Sequence, residues 1–408
     1  MNTSSGRPPA DGGRISAWQL ALLLAIIPMI EDGTTINHWL AWRVGVDQWV
    51  SVLLALPLVL VGVTMLFRLA NRHPDKDLTG ILLSVIGPIG YGVAIAYVLL
   101  FLTNAALAVR EFGVLSRQLS FMELTPYGVF ALALMLVVVY GAWMGIEVLA
   151  RVNVAFFLFV DIPLGVVLTA LSVNHERLAR LLPVMAHGIH PVLWGTWLLV
   201  GKFGELVLLL VFLPLVAEQR GRARRVNLWA VVIATAVTLE QCVGPVLMFG
   251  SSVKMVSWPW YSQIRSIFVA GFITNLEWFN VILWIHGFLV EASLFLYGAT
   301  LMVTKIFGAR SRKPFLLVLA CLVLLGSFVL GRTQAGMLEE RWMLDAYGYV
   351  IMAWLVPAAM LGISIIRRQG TRNPETARSA RRSPTLTGQG SEPALWEPGE
   401  ADTGRSRV

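Results

Sequence analysis

Blocks of about 20 apolar residues recur along the chain, and most of the charge lies in the segments between them. A 20-residue helix is about 30 Å long, the thickness of bilayer hydrocarbon. Inside that hydrocarbon only helices and closed barrels satisfy their backbone hydrogen bonds. The blocks lack the in–out alternation of barrel strands, so each reads as a membrane-spanning helix. The balance of the 408 residues agrees: 57% are hydrophobic, 14% are charged, and the mean hydropathy is +0.71. Soluble domains carry about a quarter charged residues. An ordinary soluble enzyme, a disordered chain and a disulfide scaffold are thereby excluded. The class is an all-α, polytopic membrane protein.

Ten spans are predicted, at 16–40, 47–67, 81–110, 127–143, 147–171, 191–217, 226–250, 267–304, 314–331 and 345–367. The eighth run is too long for one straight crossing and reads as a tilted span or one begun by an interfacial segment. Arg220, Arg222, Arg224 and Arg225, with Lys305, Arg310, Arg312 and Lys313, crowd the loops on the side of the N-terminus, which puts both termini in the cytoplasm. Arg341 is assigned to an outer loop. The basic residues thus set topology and do not form a nucleic-acid surface. Residues 1–14 form a short cytoplasmic N-terminus with no cleavable leader evident, and 15–368 form the membrane domain. Residues 369–408 form an Arg-rich tail that cannot bury a core and reads as disordered. Cys242 and Cys321 lie in apolar runs and read as buried small hydrophobes. Trp258, Trp260 and Tyr261, between spans seven and eight, suggest an interfacial segment.

Polar groups within spans are costly and mark function or structural pairing. Span one carries Pro28, then Glu31, Asp32, Gly33, Thr34, Thr35 and Asn37 at mid-depth. Span six carries Gly201, Lys202, Phe203, Gly204 and Glu205. Interrupted helices at matching places in two five-span halves point to an inverted-repeat transporter fold with a midplane site. An unwound turn there would offer N–H groups to a carboxylate and carbonyls to an ammonium. The bland alternative is close helix packing through small residues. Lys202 has two readings, ligand contact or an ion pair with Glu205, Glu31 or Asp32. Tyr97, Phe101 and Asn104 share one face of span three, either lining a site or forming a packed stripe. Arg110 and Glu111 read as a helix-end charge pair. Span eight carries Glu277, Trp284, His286 and Glu291, and Asp161 and Glu240 are further buried acids. Glu31, Glu205, Glu277 and His286 are the candidates for proton or ion coupling. The chain has no nucleophile elbow, P-loop or zinc-ligand spacing, and GPIGYG at 87–92 follows no strand. Neither an enzyme, a cofactor nor a metal site is expected.

Several stretches together resemble the spore germination permeases, the B subunits of nutrient germinant receptors. They are GTTI (33–36), VDQWVSVLLALPL (46–58), REFGVL (110–115) with LTP (124–126), and GIEVLAR (145–151). LLPVMAHGIHPVL (181–193), KFGELVLLLVFLP (202–214), NLEWFNVILWIHGF (275–288) and YGYV (347–350) follow in the same order. The resemblance implies the amino acid–polyamine–organocation superfamily, ten spans in a five-plus-five inverted repeat, and breaks in helices one and six. It implies an inner-membrane subunit of a bacterial endospore that binds a small nutrient, commonly an amino acid. Its partners would be an A subunit, thought to form an ion channel, and a lipoprotein C subunit. The family's ligand positions map onto Gly33, Thr34, Thr35, Phe101, Gly201 through Gly204, and Tyr349. Glu31 and Asp32 make the first break more acidic than the family pattern, and Lys202 is unusually basic, so ligand identity stays open. A sensor that signals to partners, a proton-coupled amino-acid or amine transporter, and a scaffold subunit are the functions to separate.

Overall fold

The computed structural model describes residues 13–119, 124–172, 175–268 and 276–369; Glu31, Asp32 and Gly33 are described by backbone path alone. Ten apolar helices follow one another: α1 (Ala17–Arg43), α2 (Gly45–Arg72), α3 (Ile89–Gln118), α4 (Tyr127–Met144), α5 (Ile146–Ser172), α6 (His190–Leu215), α7 (Arg220–Met255), α8 (Glu277–Ile306), α9 (Lys313–Val329) and α10 (Gln334–Ile366). Among the described residues, nine are long and apolar enough to cross a bilayer. The exception is α9, whose 17 residues rise about 26 Å. The molecule is thus an all-α, polytopic membrane protein.

Three predicted runs differ from the observed helices, the tenth because it begins at Gln334 and not at 345. The run 81–110 is two elements. A short helix, Leu78–Ile86, ends at Gly87, whose φ of 65° suits glycine and whose N–H bonds the Leu83 carbonyl at 3.0 Å. Pro88 follows and offers no N–H to continue the helix. α3 then starts afresh at Ile89 and outlasts its predicted end. The eighth run begins as a helix at Glu277, after a separate short helix, Pro259–Arg265; residues 269–275 lie outside the described residues. The Trp258, Trp260 and Tyr261 side chains expected at an interface are buried in protein, and Tyr261 stacks on Trp284 at 5.7 Å. Cys242 is buried as expected, but Cys321 points out of the bundle.

The broken helices occupy the centre. The apolar windows of α1 and α6 are 87% and 83% buried, against 11% for the peripheral α5. Both breaks remain helical and change pitch, where the sequence suggested unwinding. In α1 the turn Asp32–Ile36 is π-helical, just after the donor lost at Pro28. In α6 the segment Phe203–Val207 tightens to 3-10 geometry. Two further π segments had no sequence forewarning, Phe157–Asp161 in α5 and Leu344–Leu355 in α10. The starts of α1 and the exit of α6 are tied together. Ile15 N–H bonds the Leu215 carbonyl at 3.1 Å, and Ala17 N–H is capped by the Glu218 carboxylate at 2.6 Å.

Lipid tails are as apolar as leucine, so helix association in a membrane rests on close packing and polar contacts. Gly201 and Gly204 supply the close packing between α6 and α10. A Cβ on Gly201 would collide with the Asp345 carbonyl, and one on Gly204 would lie 2.8 Å from the Tyr349 Cβ. The packing role weighed for these glycines is therefore real, and it sets the polar groups of α6 against those of α10.

Candidate functional site

The polar contacts at that junction form one buried network. Glu205, in the 3-10 segment of α6, accepts from the Lys202 ammonium at 2.6 Å and from Arg341 Nη2 of α10 at 2.8 Å. Lys202 precedes Glu205 by three residues, the spacing that puts both on one helix face. Arg341 Nη2 also reaches Glu291 Oε1 of α8 at 3.4 Å, and its Nε lies 3.6 Å from Asp345 Oδ2. Asn104 of α3 donates to the same Glu291 oxygen at 2.8 Å, and the Tyr349 hydroxyl donates to Asn104 Oδ1 at 2.7 Å. At the α1 break the Thr35 hydroxyl donates to Glu111 of α3 at 3.0 Å. Thr34 bonds the same carboxyl, which lies within electrostatic reach of Glu291 and Asp345. Every one of these side chains is at most 1% exposed.

An apolar floor adjoins the network. Phe101 lies 5.5 Å from Phe295, which lies 6.3 Å from Tyr349, and Tyr97 lies 6.1 Å from Phe101. The Tyr97 hydroxyl donates to the Met352 carbonyl inside the π segment of α10. An aromatic floor beneath paired charges suits a small molecule with one polar end and one apolar end.

The structure therefore brings together Thr34, Thr35, Phe101, Asn104, Gly201, Lys202, Gly204, Glu205 and Tyr349, all named from the sequence. The Lys202 pairing weighed there is with Glu205. Phe203 belongs to the same break but lines a recess with Pro28, Leu206 and Asn227, on the α1 and α7 side. The side chains of Glu31 and Asp32 lie outside the described set; the backbones of Asp32 and Gly33 run through the α1 break. Glu277 and His286 have no contact with the network. His286 Nδ1 pairs with Asp161 Oδ2 of α5 at 2.6 Å and its ring stacks on Phe156 at 4.9 Å. Glu277 is buried beside Tyr261, and among the described residues neither of its carboxylate oxygens has a hydrogen-bond partner.

Four members of the network, Glu111, Glu291, Arg341 and Asp345, are not among the site residues expected from the sequence. Glu111 was read as pairing with Arg110 at a helix end. Instead Arg110 turns outward, donates to the Gly331 and Arg332 carbonyls at 2.8 Å, and lies over the Tyr127 ring. Adjacent helical residues point about 100° apart, so Glu111 faces inward. It continues the face of Tyr97, Phe101 and Asn104 at the next heptad step, a signal that was available. Glu291 stands one heptad beyond Trp284. Arg341 and Asp345 precede Tyr349 at four-residue steps on α10, and Arg341 had been assigned to an outer loop.

A family model described as spore germination protein matches residues 14–335. This chain belongs to the spore germination permease family. The match stops before Arg341, so the α10 half of the network lies beyond it. Spore germination protein KB of Bacillus subtilis (strain 168) is 25% identical over 306 residues, covering 74% of this chain and 81% of the relative. Spore germination protein XB of Bacillus anthracis is 23% identical over 319 residues, covering 76% and 87%. Among solved structures, MhsT in complex with L-phenylalanine superposes with a TM-score of 0.63 at 14% identity, covering 88% of this chain and 90% of that one. At that identity the likeness speaks for the fold alone.

Proposed function

We propose that this spore germination permease is the ligand-sensing membrane subunit of a spore nutrient receptor. It binds a small nutrient, of amino-acid type, where α1 and α6 break against α3, α8 and α10. Binding is passed to an A-type channel subunit and a C-type lipoprotein subunit in the inner membrane of the endospore, with both termini cytoplasmic. Family membership supports the setting. The observation that carries the site is the buried network linking Glu205, Arg341, Glu291 and Asn104 across four helices. A ligand that engages any of these groups must rearrange contacts among all four helices. That supplies the difference in affinity between two packings that a switch requires. A coupling of about 1–3 kcal/mol to the partner is then ordinary.

The test is ligand-dependent thermal stabilisation of the purified chain across amino acids, amines, sugars and nucleosides. A stabilising compound raises stability by mass action. Its effect is expected to disappear in Gly204→Leu, whose side chain meets Tyr349 and Ala353. Stabilisation that survives Gly204→Leu and Phe101→Ala would place the ligand elsewhere and overturn this reading. One observation favours proton-coupled transport as a second reading, the partly buried His286–Asp161 pair between α8 and α5. Uptake of a stabilising compound into proteoliposomes, driven by a pH gradient and lost in His286→Gln, would select it.

A further inference from the structure

Two independent features of the site concern charge. Among the described residues the junction holds four carboxyl groups, Glu111, Glu205, Glu291 and Asp345, against two bases, Lys202 and Arg341. Fully ionised, they leave a surplus of two negative charges. Among the described residues Glu291 Oε2 and Asp345 Oδ1 have no hydrogen-bond partner, although both residues are 0% exposed. Uncompensated charge in a low-dielectric interior is strongly disfavoured. The site must therefore take up two positive charges, as protons or on a ligand.

The second feature is an aromatic cluster at the end of the bundle where α1 finishes and α6 and α10 begin. Trp39 lies 5.5 Å from Trp42 and 6.0 Å from Trp342. Trp342 stacks with Trp194 at 6.4 Å and meets Tyr347 edge-on at 5.6 Å. The chain's own Arg43 guanidinium sits 5.0 Å over the Trp194 ring, so the cluster already holds a cation on an aromatic face. Trp342 adjoins Arg341 in sequence, and Tyr347 lies between Asp345 and Tyr349, so the cluster and the acids share α10.

We infer that the ligand of this site is an organic cation carrying net positive charge, such as a basic amino acid or a diamine, which displaces protons from the surplus carboxyls. This rests on the ligand-binding reading above and names the chemical class that reading leaves open. Lys202 and Arg341 are both engaged with Glu205. A ligand carboxylate would compete for them, whereas an ammonium meets the unpartnered oxygens of Glu291 and Asp345. The groups facing such an ammonium are Glu111 of α3, Lys202 and Glu205 of α6, Glu291 of α8, and Arg341, Asp345 and Tyr349 of α10.

The experiment is titration of the full-length protein in nanodiscs with L-lysine, putrescine, L-alanine, L-glutamate and glucose. It is run at several pH values and in two buffers of different ionisation enthalpy. Each added positive charge displaces one proton, so affinity is expected to rise about tenfold per pH unit for lysine and about a hundredfold for putrescine. Alanine, glutamate and glucose are expected to bind at least tenfold more weakly, without proton release. Glu291→Gln keeps an acceptor for Asn104 and should lower the lysine slope; should that variant fail to fold, the wild-type slopes decide alone. Alanine binding as well as lysine, with no proton release from either, would overturn the charge class and leave the binding site standing. Binding of none of the five, nor of any compound in the wider panel, would overturn both.

Discussion

Removing Arg341 tests the charge balance of the site most directly. Its guanidinium is 1% exposed and lies against three carboxylates, at 2.8 Å from Glu205, 3.4 Å from Glu291 and 3.6 Å from Asp345. Arg341→Met keeps most of the volume and takes away the charge. Four acids then face Lys202 alone. Breaking a buried ion pair from one side costs about 3–5 kcal/mol, because it strands charge that water cannot reach. Asp345→Asn acts in the opposite sense, since it removes one of the surplus negative charges and leaves a polar side chain of the same shape. That variant is expected to cost less than about 1 kcal/mol or to stabilise. Arg341→Met with Asp345→Asn restores the original surplus and should recover about half of the loss. The assay is SDS-induced unfolding in mixed micelles, followed by tryptophan fluorescence, with the four proteins forming a double-mutant cycle. Equal losses for Arg341→Met and Asp345→Asn would refute the surplus of acid, because the site would then behave as a balanced ion cluster.

Three further outcomes follow from individual contacts. Gly201→Ala drives a Cβ into the Asp345 carbonyl and should cost about 1–3 kcal/mol or more, whereas Gly92→Ala, with nothing within 4 Å of its added Cβ, should be neutral or stabilising in the same unfolding assay. Tyr349→Phe leaves Asn104 Oδ1 without its donor inside the protein and should cost about 1–3 kcal/mol, with a matching loss of ligand stabilisation. His73 lies beyond the end of α2, and burial, followed by the charges of Lys76 and Arg72, holds its imidazole below the usual histidine range. Its folded form resists protonation, so stability should be level above about pH 6.5 and fall as pH drops below it, and His73→Gln should abolish that slope.

The spans, their order and the two central breaks were legible in the chain because hydrocarbon leaves few options. A 20-residue apolar block must be a helix there, and Pro28 with Gly33, or Gly201 with Gly204, is visible as a disturbance within one. The end of the short helix at Gly87 and Pro88 is marked by residue type, but hydropathy runs straight through it. More than half of the network could be named too, since Thr34, Thr35, Asn104, Lys202, Glu205 and Tyr349 are polar residues in apolar surroundings. Periodicity would have added Glu111, on the face of Tyr97, Phe101 and Asn104.

Tertiary structure alone decided which charges meet. Glu291, Glu205 and Arg341 lie 86 and 136 residues apart around Glu205 along the chain, and no local pattern encodes their distance. Arg341 looked like a loop residue because sequence counts it near the start of a span, while α10 places it under the tryptophan cluster and inside the protein. The π segments of α5 and α10 were invisible for the same reason. A change of helical pitch carries no residue signature of its own, and neighbouring helices must hold it. Local chemistry thus set the solvent, the secondary structure and the places where helices weaken. The ionic balance of the site depends on side-chain positions to within an ångström, and only the packing of α3, α6, α8 and α10 supplies those.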